Sequence, residues 1–491
     1  MKKKIKSSYI HFLIGMAIMI AFRFIPLGVL PNVTEVGLQV MGVFIGTIYL
    51  WSTIDPTVAS LASIFMLTFT SFSTSNNVLM SCFGNPTVVQ LLFLMIFMGG
   101  LTNRRLTVYI ARWITTRKMI EGRPWVFTFV MLLGTYVMSV FIGAFAPIFL
   151  FWPVLYGIFE EVGFKKKDAY PKLMIIGIVI AALIGFPVPP YMSNGLALLG
   201  NYRGLLNNFP TLMGMEGVLV SDASYFIGCF ALGLLLIVAT VLIIKFVFRP
   251  DVSPLKKISI EMLEKNPLPP MSMAQKVYGI FLCVFIFIML VPSLLPNVPI
   301  LSFLNKNSLV MPLVLTCILT LLEFDDGPVL KLNEVMGKDF AWATFFLCTS
   351  AILLGSVLTN EATGITAFLN AVLSPIFSGM SGMMFTIVLL LMAIILTNIC
   401  NSLVIGMILQ PVALTYCVNA GVNPAPIITL LIFTVLLSAA CTPAASPFAA
   451  MMFGNKEYLS SGDVYKYSTV FVVIEFVIII IVGIPFINLL F

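Results

Sequence analysis

Charge is scarce in this chain. Of its 491 residues only 10% are Asp, Glu, Lys or Arg, and there is a single histidine, His11. Soluble domains carry about 25% charged residues, so this composition excludes an ordinary water-soluble globular protein. One histidine at the start of an apolar segment also gives no basis for histidine catalysis or for a histidine metal cluster.

Several motifs of enzyme chemistry are missing as well. The eight cysteines are scattered through apolar segments without a CxxC pair, which is typical of buried small hydrophobic side chains. No glycine-rich phosphate-binding loop occurs, so any use of ATP would need a separate partner. The acidic pair Glu160-Glu161 has no accompanying nucleophile or metal ligand. These observations predict that the protein is not an enzyme and holds no organic cofactor.

Long apolar runs dominate instead. Hydrophobic residues make up 60% of the chain, and the mean hydropathy is +1.08. Runs long enough to cross a bilayer, roughly 20 residues each, include residues 12–30, 37–54, 225–247, 277–295 and 470–490. Lipid offers no hydrogen-bond partner to the backbone, so such segments form helices. The sequence therefore predicts an all-α polytopic membrane protein.

The net charge of +7 does not indicate nucleic acid. Basic residues cluster beside the apolar spans, in residues 2–6, 104–123, 165–172 and 245–276. This distribution is typical of cytoplasmic loops that follow the positive-inside rule. We therefore expect a cytoplasmic N-terminus and a protein of the bacterial inner membrane. The first apolar segment is long and lacks a small-residue cleavage site, which favours a retained anchor over a signal peptide.

The chain divides into two similar halves. The polar stretch from Arg249 to Lys276 separates them. Leu-Thr-Asn at residues 101–103 recurs at 358–360, Pro-Val at 153–154 recurs at 411–412, and a proline at 190 recurs at 447, all about 257 residues later. Internal duplication is typical of secondary transporters. We predict an N-terminal segment (1–36), a first repeat (37–245), a polar linker (246–276) and a second repeat (277–491).

Each half contains two breaks in its apolar runs, at matching places. They comprise residues 143–147, 185–195, 397–402 and 441–447, which are rich in Gly, Pro, Ser, Thr and Asn. A broken helix exposes backbone N–H groups at one end, which suit a carboxylate, and C=O groups at the other, which suit a cation. Asn401 and Ser402 can hydrogen-bond an anion without carrying charge, and no Lys or Arg lies near the breaks.

Two further segments have the pattern of re-entrant hairpins. Phe83-Gly84-Asn85-Pro86 opens a run that reaches Gly100, and residues 339–342 open a run that reaches Gly355. Both runs end at the matching Leu-Thr-Asn sequences. We expect the tips of these hairpins to approach the broken helices.

These residues resemble the divalent anion/sodium symporter family of the ion transporter superfamily. Cys400-Asn401-Ser402 is similar to the family's Ser-Asn-Thr motif, and Ser446-Pro447-Phe448-Ala449 is similar to its Thr-Pro-Pro-Asn loop. The resemblance implies carriage of di- or tricarboxylates or sulfate with sodium. It also implies two inverted repeats, about eleven spanning helices with two re-entrant hairpins, a scaffold, an elevator-type transport domain and a homodimer.

The first half departs from the family's motif. Gly143-Ala144-Phe145 stands where Ser-Asn-Thr is expected, and its side chains supply no oxygen. Sodium coupling, proton coupling and exchange of one anion for another therefore all stay open. Sulfate or an aminoacyl carboxylate is the alternative to a dicarboxylate.

The candidate site residues come from all four breaks. We expect the small anion to be bound by Asn401, Ser402, Ser446, Pro447, Ser193, Asn194 and the backbone at Gly143. Phe145 narrows the site or stacks on an apolar part of the substrate. A sodium ion, if one is used, would be held by Thr397, Cys400 and Thr442. A channel would need a continuous polar lining, whereas the polar residues here gather at a few breaks.

Two charges fall inside apolar runs away from the breaks in sequence. Arg23 lies in the first run and Glu475 in the last. Charges within the membrane are rare and usually paired or functional. A structural role is the expectation for both, with proton coupling by Glu475 as the alternative.

Overall fold

The computed structural model describes residues 7–258, 268–295, 297–324, 327–358, 360–368, 371–372, 379–399, 401–443 and 445–491. Those of the first half form twelve α-helices: α1 (Ser7–Ala21), α2 (Glu35–Thr53), α3 (Pro56–Thr68), α4 (Ser75–Phe83), α5 (Pro86–Asn103), α6 (Leu106–Thr115), α7 (Pro124–Ile142), α8 (Phe145–Val162), α9 (Ala169–Gly185), α10 (Ser193–Leu206), α11 (Pro210–Met213) and α12 (Asp222–Leu242). A π-helical turn, Ile243–Phe248, extends α12.

The described part of the second half continues with α13 (Met273–Leu294), α14 (Pro299–Lys306), α15 (Met311–Leu321), α16 (Leu332–Glu334), α17 (Trp342–Leu358), α18 (Gly382–Thr397), α19 (Ser402–Ala420), α20 (Ala425–Leu437), α21 (Pro447–Gly454), α22 (Ser461–Ile478) and α23 (Ile484–Asn488). A two-residue antiparallel ladder, β1 (Glu323–Phe324) with β2 (Gly327–Pro328), connects α15 to α16.

The lengths of the helices confirm an all-α polytopic membrane protein. Within the described ranges, eight helices are long and apolar enough to span a bilayer, or ten if two bent pairs each count as one span. Five apolar helices of 10–17 residues add to these. The predicted number was about eleven. Lipid-facing surface is abundant: Leu13 of α1 and Ile280 of α13 are more than 60% exposed.

The helix ends follow the local sequence. Thr34, Asp55 and Asn85 accept hydrogen bonds from the first turns of α2, α3 and α5, as side-chain caps do. Pro56, Pro86 and other prolines occupy the first helical position, where the missing N–H costs nothing.

Two matched helices form the centre of the molecule. Every residue of α20 is buried, and in α9 the run from Leu173 to Gly185 is buried without interruption. The two helices pack against each other, α7 and α8 pack around α9, and α18 and α19 pack around α20. Helix α9 ends at the second predicted break, at Gly185, and α20 ends at Leu437, shortly before the fourth. The residues with the least contact to lipid therefore lead directly to the candidate site.

Helix starts in the two halves share the spacing found in the sequence. Phe145 begins α8 and Ser402 begins α19, Ala169 begins α9 and Ala425 begins α20, in each case about 257 residues apart. Interior prolines also correspond, Pro153 in α8 and Pro411 in α19. The domain boundaries themselves stay a prediction. Thr359, in the second copy of the Leu-Thr-Asn sequence, lies outside the described residues.

Three basic clusters lie on one side of the bundle. The linker residue Pro269 accepts a hydrogen bond from Tyr109 at 3.1 Å, and Gln275 donates to the carbonyl of Arg104 at 2.9 Å. The turn Ser253–Lys257 packs against the helices that border residues 118–123 and 165–167. The positive-inside rule requires such a common face.

Candidate functional site

The first break separates α7 from α8. Gly143 ends α7 with φ +104° and ψ 158°, and its N–H donates to the Ser139 carbonyl at 3.0 Å. This backbone region is essentially restricted to glycine. No side chain caps the start of α8, and a Cβ added to Gly143 would meet nothing within 4 Å. The break thus combines open space with an uncapped helix N-terminus.

The second break follows α9. Ser139 donates to the Ala182 carbonyl at 2.6 Å, and Gly185 lies so close to α7 that an added Cβ would be 2.7 Å from the Tyr136 carbonyl oxygen. Tyr225 of α12 donates to the Pro187 carbonyl at 2.8 Å. These contacts hold the end of α9 against the last two turns of α7, and glycine is required at 185 by the close approach of α7.

In the second half, one asparagine ties the two breaks together. Asn398 Nδ2 donates to the carbonyls of Ile394 and Ser438 at 2.8 and 2.9 Å, and its Oδ1 accepts the Cys441 N–H at 2.8 Å. Thr442 donates to the Asn398 carbonyl at 2.5 Å. The sequence reasoning passed over Asn398 as a site residue. The sequence could have indicated Asn398, because an amide side chain with donors and an acceptor inside an apolar run needs hydrogen-bond partners.

The predicted cation ligands lie in this connection. Thr397 donates to the Val435 carbonyl of α20 at 3.2 Å, and Thr442, in the loop after α20, donates to the Asn398 carbonyl at the end of α18. Each hydroxyl oxygen keeps acceptor capacity after donating its proton. Cys400 lies outside the described residues. Oxygen atoms of this kind fit a sodium ion, whereas Gly143-Ala144-Phe145 offers only backbone carbonyls.

The predicted anion ligands of the second half act as helix caps. Asn401 Oδ1 accepts the Leu403 N–H at 3.0 Å at the start of α19. Ser446 accepts the Ala449 N–H at 3.1 Å at the start of α21 and donates to the Ala439 carbonyl at 2.6 Å. The Ser446 proton is thus already used, whereas the Asn401 amide N–H groups make no hydrogen bond to any described residue. Ser402 is buried, and Pro447 is the first residue of α21.

Aromatic rings join the two halves at the breaks. The Phe145 ring lies 4.4 Å from the Phe448 ring, and Phe186 lies 5.2 Å from Phe448 on another side. Phe149 stacks on Phe145 at 6.4 Å. Phe448 is buried, whereas Phe145 is 44% exposed. The structure therefore brings Phe145 of the first break, Phe186 of the second and Phe448, directly after the fourth, into one aromatic cluster. Asn398 connects the third break to the fourth.

Asn194 faces the second predicted hairpin. Its Oδ1 accepts the Cys348 thiol of α17 at 3.8 Å. The chain bends by 79° between residues 332–339 and α17, where the second hairpin run was predicted to open. Thr87, at the start of α5, packs against Gly200 of α10. Both hairpin segments thus contact α10. The side chain of Ser193, the first residue of α10, lies outside the described part of the chain.

A buried amide pair joins α10 to α19. Asn201 Nδ2 donates to Gln410 Oε1 at 2.6 Å, and Gln410 Nε2 donates to the Leu198 carbonyl at 2.9 Å. Both side chains are less than 5% exposed. Sequence analysis missed this pair because two isolated amides about 200 positions apart have no common motif.

The two intramembrane charges differ. Arg23 is exposed and donates to the Phe69 carbonyl at 2.8 Å, as a structural contact. Glu475 is 1% exposed, and neither of its carboxyl oxygens has a hydrogen-bond partner among the described residues. Glu475 lies on α22, which packs against α21 and whose Thr469 contacts the Cys441 thiol of the fourth break, although the two segments are remote in sequence.

Comparisons with known proteins agree with this architecture. The family model for the sodium:sulfate symporter transmembrane region matches residues 6–491. No curated protein matches the chain. The crystal structure of the Alcanivorax borkumensis YdaH transporter is similar in fold, with a TM-score of 0.57 over 89% of this chain and 97% of that chain, at 12% identity. At that identity the likeness concerns the fold alone. The family match spans almost the whole sequence, so the chain belongs to the divalent anion/sodium symporter family of membrane transporters.

Proposed function

We propose that the protein is a secondary active transporter of small organic anions, with di- and tricarboxylates as its substrates. The observation that carries this proposal is the convergence of the four breaks. Helices α8 and α10 start within a break, at Phe145 and Ser193, and helices α19 and α21 start at the last residue of a break, Ser402 and Pro447. Helix N-termini attract anions through free N–H groups and the positive end of the helix dipole.

The substrate would bind among these helix starts. The Asn401 amide, whose N–H groups have no partner among the described residues, donates to a carboxylate oxygen. The uncapped N-terminus of α8 faces the open space beside Gly143. Asn194, Ser193 and Ser402 are the other proposed ligands of the anion. Ser446 and Pro447 shape the start of α21 and contribute backbone geometry. Because no Lys or Arg takes part, the empty site carries no unpaired charge in the membrane.

The movement we propose is an elevator. The central group of α7 to α9 with α18 to α20 carries the breaks, and the helices around α1 to α3 and α13 to α15 form a scaffold that also holds a homodimer. The two repeats, in inverted orientation, provide the two alternating conformations. The dense packing of α9 on α20 supports movement of the central group as one unit.

The coupling ion is the part of the family pattern that this chain changes. Thr397, Cys400 and Thr442 are the proposed sodium ligands of the second half. The absence of side-chain oxygens at residues 143–145 favours a second candidate: an anion exchanger or a proton-coupled carrier. Of the two alternative substrates, the exposed ring of Phe145 favours an aminoacyl carboxylate over sulfate, because only the former has an apolar part that can contact the ring.

The first test is uptake of radiolabelled succinate or 2-oxoglutarate into proteoliposomes. Three conditions separate the candidates: a sodium gradient, a proton gradient, and unlabelled dicarboxylate inside. Uptake under any of them supports the proposal, and the condition identifies the coupling. Asn401→Ala is expected to reduce uptake at least tenfold, while the exposed control Asn305→Ala leaves it unchanged. Absence of uptake of every offered anion by folded protein would refute the proposed substrate class.

The orientation is also proposed. A bacterial inner-membrane location with a cytoplasmic N-terminus places the three basic clusters, which share one side of the bundle, in the cytoplasm.

A further inference from the structure

An unpaired acid lies deep inside the bundle. Glu475 of α22 is 1% exposed, and both carboxyl oxygens lack hydrogen-bond partners among the described residues. The hydroxyl of Ser468, two turns earlier on the same buried face, also lacks a partner. The other buried residues of this face are apolar, among them Phe471 and Val472.

The surroundings favour the neutral form of this acid. A carboxylate without a counter-charge or hydrogen bond is costly in an apolar interior, and the protonated acid avoids that cost. A buried acid with no structural partner is therefore a place where a proton binds. Among the described residues, no hydrogen bond holds the Glu475 side chain in a structural role.

The neighbouring titratable groups are engaged elsewhere. Helices α9, α12 and α21 pack against α22. On α9, Tyr170 bonds Thr128 and Lys172 bonds Asp463. On α12, Asp222 accepts a hydrogen bond from Arg203. Tyr225 donates a hydrogen bond to the Pro187 carbonyl, and Cys229 contacts Tyr225. The π-helical extension of α12 carries Lys245, which lies over Trp125. Helix α21 has no titratable residue.

The remaining charged and titratable residues of α22 lie near its start. Asp463, Tyr465, Lys466 and Tyr467 belong to its first two turns. Asp463 is twelve residues before Glu475, about 18 Å along the helix axis. None of these groups neutralises the Glu475 carboxyl at close range.

One loop residue connects α22, the helix that carries Glu475, to the candidate site. The Cys441 thiol contacts the Thr469 hydroxyl of α22, and α21, which follows this loop, packs against α22. The backbone N–H of the same cysteine donates to Asn398 Oδ1 at 2.8 Å. The loop that holds the third and fourth breaks together therefore contacts the helix that carries Glu475.

We propose that Glu475 is a proton-binding site coupled to these breaks, so that a proton accompanies the transported anion. This inference rests on the proposed function and selects its coupling ion. The carboxylic acid releases its proton to water when the site opens on one face of the membrane, and the carboxylate takes up a proton at the other face. Residues 143–145 have no side-chain oxygen with which to bind a sodium ion. A proton on Glu475 takes the place of that ion as the positive charge that accompanies the anion.

Protonation is tested first without transport. A hydrophobic carbodiimide reacts with protonated carboxyl groups inside membranes, and mass spectrometry locates the product. We expect labelling at Glu475 that decreases as pH rises, and no labelling at that position in Glu475→Gln. Ser468→Ala, on the same face, is the matched control and should keep the labelling. Folded protein that stays unlabelled at Glu475 at every pH would overturn the proton site.

Coupling is tested in proteoliposomes that contain a pH-sensitive dye. For one proton per anion, a gradient of one pH unit changes the accumulation ratio about tenfold. Glu475→Gln is expected to lose this response and the dye signal but to keep exchange of internal for external anion. Proton-driven accumulation that persists in Glu475→Gln would overturn the coupling. Absence of any anion transport would refute the proposed function instead, and the labelling result would still decide whether Glu475 binds a proton.

Discussion

The rings of Phe145 and Phe448 lie 4.4 Å apart and connect the first break of one half to the last break of the other. Phe145 opens α8 and Phe448 is the second residue of α21. The contact joins two helix N-termini that the sequence separates by about 300 residues. It also places an aromatic surface where the family's motif would have a polar residue.

Replacing Phe145 with Ala should change selectivity more than stability. Aromatic pairs contribute about 0.5–1.5 kcal/mol beyond burial, and Phe145 is 44% exposed, so we expect a modest loss of thermal stability. The wider site should raise KM for an anion with an apolar part and leave a compact dicarboxylate nearly unaffected. Competition assays with both anions measure this. Phe303→Ala, on an exposed apolar side chain, is the control, and equal effects of the two variants would argue against a role in the site.

Replacing Asn398 with Ala should disconnect the second-half breaks. The change removes three hydrogen bonds and leaves the Cys441 N–H and the Ser438 carbonyl without their partner. Each buried group left unpaired costs about 1–3 kcal/mol. We expect a lower melting temperature in detergent and loss of transport. Asn305→Ala should alter neither, and a normal melting temperature for Asn398→Ala would contradict the hydrogen-bond connection.

Replacing Gly143 with Ala tests the backbone of the first break. A residue with a side chain at φ +104° and ψ 158° is strained by about 1–3 kcal/mol, although the space around Gly143 is open. The variant should therefore lose stability through conformation, without a steric clash, and transport should fall. Gly157→Ala is a matched control within α8, because its added Cβ also meets nothing. That variant should be neutral or up to about 1 kcal/mol more stable.

Cysteine labelling tests the orientation of the bundle. Helix α12 and its extension run from Asp222 to Phe248 and are long enough to span the membrane. Ser253→Cys after this span and Glu216→Cys before it should therefore lie on opposite faces. A membrane-impermeant maleimide should label Ser253→Cys from the cytoplasmic side and Glu216→Cys from the outside. The reverse pattern would mean that the basic clusters are external.

The sequence by itself determined the helical membrane fold, because apolar runs of spanning length leave the backbone no other partners than its own. It also determined where the helices break, since the Gly, Pro and Asn residues at 143, 187 and 398 act on the adjacent backbone. These effects are local, so the residues of one short segment are enough to predict them. The spacing between the two halves could be found for the same reason, because it requires only that short segments be compared with each other.

Only the tertiary structure decided which breaks meet and which polar groups stay available. Ser446 has the residue type of an anion ligand, but packing places its hydroxyl against the Ala439 carbonyl and uses its proton. The amides of Asn201 and Gln410 pair across two halves of the chain. Glu475 is remote from the breaks in sequence, yet α22, the helix that carries it, packs against α21 and contacts Cys441 of the fourth break. Hydrogen bonding and burial depend on neighbours that are distant in sequence, and those neighbours are fixed when the helices pack.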